Sequence, residues 1–260
     1  MSKQRIERLL LIDIGNTHTH VGLATVRRII KTRDFETTQV LAGCVKSSLA
    51  QFTDGRDVTA ACLCSVVPRA VQPMQRTLRD LFGVTALQLT PKTVRGVGIR
   101  YRRPDSIGQD RLANAVAVRA AFGAPAVVVD FGTAVTFDVV DTNGDYVGGI
   151  IAPGLAAMTD YLHEKTALLP KIRIREPGRL IGRNTEEAML IGAVQGYRGL
   201  VRELIGGLKR ELGVRKLPVV ATGGYARLIA RGLPEIDAVR PFLTLEGLRL
   251  TWLAHRDSTA

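Results

Sequence analysis

Cysteine is scarce in this chain, with only Cys44, Cys62 and Cys64 among 260 residues. So few thiols, so close together, cannot staple a chain of this length, which fits a reducing compartment. Cys62 and Cys64 would share one face of a strand through Ala61 to Val67, but no second pair completes a zinc site. They are read as small apolar residues. Long apolar runs are lacking too, and none approaches the ~18 to 20 residues that a membrane-spanning helix needs. Met1 to Arg5 is charged, Asp13 interrupts the apolar stretch that follows, and no small-residue cleavage site comes after it. A cytoplasmic protein with no signal peptide and no membrane partner is expected.

Aromatic side chains make up 5% of the chain, and 24 acidic residues stand against 36 Lys and Arg, for a net charge of +12. That excess suits nucleic acid or an anionic small substrate. The cations fall in short groups rather than in one tail: Arg27, Arg28, Lys31 and Arg33; Arg100, Arg102 and Arg103; Lys209 and Arg210. Alternation at Lys171, Arg173 and Arg175 predicts three cations on one strand face, yet no aromatic residue interleaves for base stacking. A solvated basic surface is the simpler reading, and a nucleic-acid partner is disfavoured. Gly-Lys pairs are absent altogether, which excludes a P-loop, and Gly96-Val97-Gly98 lacks the third glycine of a dinucleotide fingerprint.

What is present is a repeat. Leu9-Leu10-Leu11-Ile12 runs into Asp13-Ile14-Gly15-Asn16-Thr17, and Ala126-Val127-Val128-Val129 runs into Asp130-Phe131-Gly132-Thr133. Each copy reads as strand, polar turn and returning strand; Thr142 to Asp145 makes a further hairpin turn into Tyr146 to Ile151. The glycines let backbone approach a phosphate, Asn16, Thr17 and Thr133 supply donors, and the two aspartates can hold cations. Either turn alone is an ordinary Asp-x-Gly turn signal. The pair, with Thr222-Gly223-Gly224 after a third strand as a bed for adenosine, points to a nucleotide clamp.

Between the copies, Pro73 to Phe82 shows helical spacing, with Pro73 suited to a first helical position. Arg111 to Phe122 follows Gly108-Gln109-Asp110, where Asp110 can cap or precede the helix. Thr185 to Arg210 is a long helical pattern, and Pro218 to Ala221 a strand. With 46% hydrophobic and 23% charged residues the chain can bury a full core. The expected organisation is a domain over 1–122 and another over 123–260, with the C-terminal helix free to pack back on the first. The paired turns resemble those of actin-like ATPases (ribonuclease H-like), and the fold this resemblance implies is α/β: two related domains whose mixed sheets flank a nucleotide cleft. His18 and His20 alternate on the outgoing strand, but a hard cation prefers oxygen and no third nitrogen or sulfur ligand is indicated. Trp252 and His255 have no assignable chemistry.

The plan is similar to the superfamily of actin, sugar kinases and heat-shock chaperone ATPases. Tyr101-Arg102-Arg103-Pro104, Gly108-Gln109-Asp110-Arg111-Leu112-Ala113-Asn114-Ala115, Gly148-Gly149-Ile150-Ile151-Ala152-Pro153-Gly154 and Asn184-Thr185-Glu186-Glu187, together with both aspartate turns and Ser65-Val66-Val67-Pro68, resemble type III pantothenate kinases. The resemblance implies ATP-dependent phosphorylation of the primary hydroxyl of pantothenate, the first step toward coenzyme A. It implies Asp13 as the Mg²⁺ and phosphate aspartate beside Gly15, Asn16 and Thr17, and Asp110 as the general base. Arg111 would bind the acidic or amide end of pantothenate, with Tyr101 and Gly108 at the same pocket. Asp130 would hold a monovalent cation, K⁺ or NH₄⁺, beside Gly132 and Thr133, with Gly223 and Gly224 at the nucleotide. Thr185 is implied as a hydroxyl lent by the partner of a homodimer. Arg103 stands where the family usually has Asn or Asp. The alternative is a non-catalytic relative acting as a regulatory or nucleic-acid-associated accessory factor; keeping Asp110, Arg111, Asp130 and Thr133 together argues against it.

Overall fold

Leu9-Leu10-Leu11-Ile12 is buried from end to end because it forms the centre of a sheet covered on both faces. The computed structural model describes residues 7–259. Two units emerge, one holding the chain up to Ala121 together with Leu243 onward, the other Phe122–Phe242.

In the first unit, β1 (Arg8–Ile14), β2 (His18–Thr25) and β3 (Ile29–Glu36) form an antiparallel meander. Next come α1 (Thr37–Leu41), α2 (Lys46–Thr53), β4 (Ala60–Ser65), α3 (Pro68–Phe82), β5 (Leu87–Gln88), β6 (Gly98–Ile99) and α4 (Gln109–Phe122). Strand β4 lies parallel beside β1, and the sheet order is β3-β2-β1-β4-β5. Period-two alternation sends Leu10, Ile12 and Ile14 into one core with Leu63, Val40, Leu49, Met74 and Leu78 from the facing helices.

The second unit contains β7 (Ala126–Phe131), β8 (Ala134–Val140), β9 (Asp145–Pro153), α5 (Leu155–Lys165), α6 (Thr185–Ile191), α7 (Tyr197–Glu211), β10 (Val219–Thr222), α8 (Ala226–Ala230) and β11 (Ala238–Val239). Its own strands follow β11-β10-β7-β8-β9, with β10 parallel beside β7 and β7-β8-β9 antiparallel. That is the first sheet's order and sense again, so the sequence repeat is a repeat of topology. Val127, Val129, Phe131, Val135 and Phe137 pack against Val194, Tyr197 and Val201 of the long helical stretch. A π-turn over Gly192–Gly196 joins α6 to α7 in that stretch.

α9 (Leu243–Thr259) belongs to the first unit. A Cβ on Gly247 would lie 1.9 Å from the Ala113 carbonyl oxygen, so glycine lets α9 rest against α4 backbone. Thr244 Oγ1 donates to Asn114 Oδ1 at 2.8 Å, and His255 Nε2 lies 2.5 Å from the Thr93 carbonyl oxygen. No helix of the described residues is long and apolar enough to cross a membrane.

Three local expectations change. α3 starts at Pro68, so Pro68 takes the first helical position and Pro73 lies inside the helix. Residues 171–175 form no strand, although Lys171, Arg173 and Arg175 are exposed while Ile172 and Ile174 pack on the second core. The alternation there is imposed by packing on a core rather than by a ladder. α4 starts at Gln109, which puts Asp110 inside the first turn rather than at the cap.

Candidate active site

Asp13 is the penultimate residue of β1, aligned with His20 on β2 and with Cys64 on the parallel β4. It has the parity of Leu9 and Leu11, opposite to the core-facing Leu10 and Ile12. Beyond it the chain reverses through Asn16 and Thr17, both exposed, with the Gly15 N–H donating to the His18 carbonyl at 3.0 Å. A Cβ on Gly15 would sit 2.9 Å from that same oxygen, so a side chain there would press on the turn. Thr37 fixes the loop from outside: its hydroxyl donates to the Gly15 carbonyl at 2.7 Å and its N–H to the Thr17 carbonyl at 3.0 Å.

The first turn of α4 comes to the same strand ends. Ser65 N–H donates to Gln109 Oε1 at 2.9 Å. Asp110 Oδ1 accepts from the Arg111 N–H at 2.8 Å. A Cβ on Gly108 would lie 2.5 Å from that Asp110 oxygen, so the carboxylate occupies the space that glycine leaves. Burial pushes the Asp110 carboxyl above the usual aspartate range, partly offset by the Arg111 N–H and guanidinium. Arg111 is itself buried, 8% exposed.

Cys64 sits where these elements meet. Its thiol donates to Asp13 Oδ1 at 3.3 Å. Burial, then the charges of Asp13 and Asp110, push the thiol well above its ordinary range, so both carboxylates lie near it. The first unit therefore gathers Asp13, Asp110, Gly108 and Arg111. Sequence reasoning missed Cys64, which it took for an apolar filler. Tyr101 is 38% exposed in the stretch before the 3₁₀ turn Pro104–Ser106.

The second unit builds the matching turn. Asp130 is the penultimate residue of β7, aligned with Thr136 on β8 and Thr222 on β10. Gly132 and Thr133 are exposed, and the Gly132 N–H donates to the Ala134 carbonyl at 3.0 Å. Gly154 closes on the turn from below, where a Cβ would meet the Thr133 carbonyl oxygen at 2.2 Å. Gly223 has φ +89°, and a Cβ there would lie 2.6 Å from Asp130 Oδ1. Gly224 is exposed and opens onto free space. Of the two expected adenosine glycines, Gly223 thus lies against the Asp130 turn itself.

Thr185 opens α6, exposed, behind a reciprocal cap in which Asn184 Oδ1 accepts from the Glu187 N–H and Glu187 Oε2 from the Arg183 N–H, both at 2.9 Å. It stands on the rim of an apolar groove of about 790 Å³ between α5 and the α6–π stretch, lined by Met158, Tyr161, Leu162 and Met189. Elsewhere, His20 Nδ1 pairs with Asp34 Oδ1 at 2.7 Å.

Each aspartate turn offers what a metal-bound triphosphate needs: a carboxylate at a strand end, exposed hydroxyl or amide side chains, and glycines that keep Cβ atoms out of the cradle. A protein of Akkermansia muciniphila described as type III pantothenate kinase is 49% identical over 93% of this chain and 96% of its own length. One of Methylacidiphilum infernorum with the same description is 45% identical over 93% of this chain and 87% of its own. Among solved structures, a Campylobacter jejuni protein described as a Baf family transcriptional activator superposes with a TM-score of 0.62 at 17% identity, covering 95% of this chain and 99% of its own. An inorganic polyphosphate/ATP-glucomannokinase of an Arthrobacter strain reaches 0.50 at 14% identity over 96% and 100%. These two likenesses speak for the two-domain actin-like fold alone. The family model for type III pantothenate kinase matches residues 9–206, and with both aspartate turns and the Gly108–Arg111 corner inside that span, the chain belongs to the type III pantothenate kinase family.

Proposed function

We propose that this protein transfers the γ-phosphoryl group of ATP to the primary hydroxyl of pantothenate, making 4′-phosphopantothenate at the entry to coenzyme A biosynthesis. The observation that carries this reading is the convergence of Asp13, Asp110 and Arg111 on the ends of β1 and β4, inside the span matched by the family model. Asp110 would take the hydroxyl proton as the oxygen attacks phosphorus. Its raised pKa suits that exchange, since a base works best with a pKa near the working pH. Arg111, always charged, would hold the acidic end of pantothenate, with Gly108 and Tyr101 at the same pocket. Asp13, Gly15, Asn16 and Thr17 would bind the polyphosphate and its Mg²⁺, and Gly132, Thr133, Gly223 and Gly224 the nucleotide from their own unit. Magnesium supplies charge neutralisation to the transferring phosphoryl group. Asp130 would hold K⁺ or NH₄⁺.

A homodimer is part of the proposal, with Thr185 lent to the partner's pantothenate site. The exposed Tyr161 and Leu162 beside Thr185 support a covered face. A cytoplasmic setting is in keeping with three free cysteines. The test is ADP release by the purified protein with and without pantothenate and K⁺. Turnover needing both is expected; ATP hydrolysis indifferent to pantothenate would overturn the assignment.

A further inference from the structure

We propose that Gln109 is a positioning residue, which holds the Asp110 carboxylate in register with the Asp13 turn by standing in for a strand where the first sheet stops. The inference rests on Asp110 being the base proposed above. Strand β5 pairs with β4 at Cys62↔Leu87 and Leu63↔Gln88, and one further bond runs from the Leu89 N–H to the Leu63 carbonyl at 2.8 Å. Ser65 lies past that ladder and is only 6% exposed, so its N–H needs a partner other than water. Gln109 Oε1 provides it at 2.9 Å and also accepts from Gln88 Nε2 at 3.4 Å. A single amide oxygen thus ties the last residue of β4, the last residue of β5 and the first residue of α4.

The consequence falls on the next residue. The Arg111 N–H and the bare Gly108 Cα hold the Asp110 carboxylate relative to its own helix. They do nothing to hold that helix relative to the sheet. On the sheet side, the residue before Ser65 is Cys64, whose thiol bonds to Asp13. Gln109 to Ser65 to Cys64 to Asp13 is therefore the short path that sets Asp110 against the Asp13 carboxylate. A base must stand within hydrogen-bond reach of its proton, and a displacement of ~1 Å costs about 10²-fold in rate. Gln109 acts through Asp110 and not by touching phosphate or acceptor.

The test compares Gln109→Met, which keeps the bulk and removes the acceptor, with Gln109→Asn, which keeps the amide one methylene too short. Both should lower kcat, by about 10- to 100-fold for Met and less for Asn. The KM for ATP should stay within about twofold, because the Asp13 turn keeps its own bonds to Thr37 and Cys64 when Gln109 is lost. Hydrogen exchange at the Ser65 amide should quicken in both variants. Parental kcat in Gln109→Met, or equal losses in kcat and ATP affinity in Gln109→Asn, would overturn the proposal. If the parent itself does not phosphorylate pantothenate, the proposed function fails, while Ser65 exchange still reports whether the bridge exists.

Discussion

The Cys64 thiol donates to Asp13 Oδ1 across 3.3 Å, joining two parallel strands at the point where one of them presents its carboxylate. The corresponding position in the second unit, beside Asp130, is Thr222, which leads into Gly223 and Gly224. The same topology therefore carries two different neighbours: a thiol beside the first aspartate, and a glycine turn beside the second.

Thiol chemistry should divide accordingly. Cys44 is exposed, whereas Cys62 and Cys64 are buried and burial pushes Cys62 up to about 12. In the folded protein an aromatic disulfide reagent should titrate one thiol quickly, and three only after denaturation. Fast release of two or more equivalents from native protein would contradict the burial of this corner.

Asp110→Asn should separate stability from activity. A carboxyl whose folded pKa is raised contributes stability that is fully present below its unfolded pKa and lost as pH rises through the folded one. Ionising the side chain therefore costs stability, so at pH 7 to 8 the Asn variant should melt no lower than the parent, with the difference closing toward pH 4. Turnover should fall by about 10² to 10⁴. The acid limb of the parent's kcat profile should lie above the ~3.9 of an ordinary aspartate. Calorimetry and a pH–rate series check both.

Gly223 and Gly224 should respond differently to alanine. At Gly223, φ is +89° and the new Cβ would lie 2.6 Å from Asp130 Oδ1 and 2.7 Å from the Phe131 nitrogen. That conformation and crowding should cost about 1 to 3 kcal/mol, seen as a lower Tm, and should weaken any response to K⁺ if Asp130 holds it as proposed. At Gly224 a Cβ meets nothing within 4 Å, so Tm should hold and any loss should appear as a higher KM for ATP.

Subunit mixing tests the shared site. If Thr185 serves the partner's pantothenate pocket, Asp110→Asn and Thr185→Ala homodimers should each be impaired. A mixture exchanged to equilibrium should regain about a quarter of the parental rate, since half the dimers are mixed and each mixed dimer rebuilds one intact site. No recovery on mixing, with exchange verified, would place Thr185 and Asp110 in the same subunit's site or leave Thr185 outside it.

Both aspartate turns were legible in the sequence because each element needed is local: an apolar run, a carboxylate at its end and a glycine that lets the chain turn. The helix of Asp110 was legible for the same reason, but its start was not. Asp110 suits a cap by residue type, whereas the helix begins one residue earlier at Gln109, whose side chain is bonded to Ser65, 44 positions away. Pro73 misled in the same manner, since Pro68 also suits a first position and the strand before it ends earlier. The cations at 171, 173 and 175 kept their alternation without a strand, because Ile172 and Ile174 needed burial and no neighbouring strand was supplied.

By itself the sequence determined the family and the duplicated strand-turn-strand plan, since these rest on residue type and short spacing. The sequence left open whether the C-terminal helix returns, and tertiary structure decided that α9 joins the first unit, where Gly247 meets Ala113. Tertiary structure also decided the raised pKa of Asp110 and the meeting of Cys64 with Asp13. Desolvation and hydrogen bonds between distant residues depend on which surfaces are pressed together, and no local pattern encodes that.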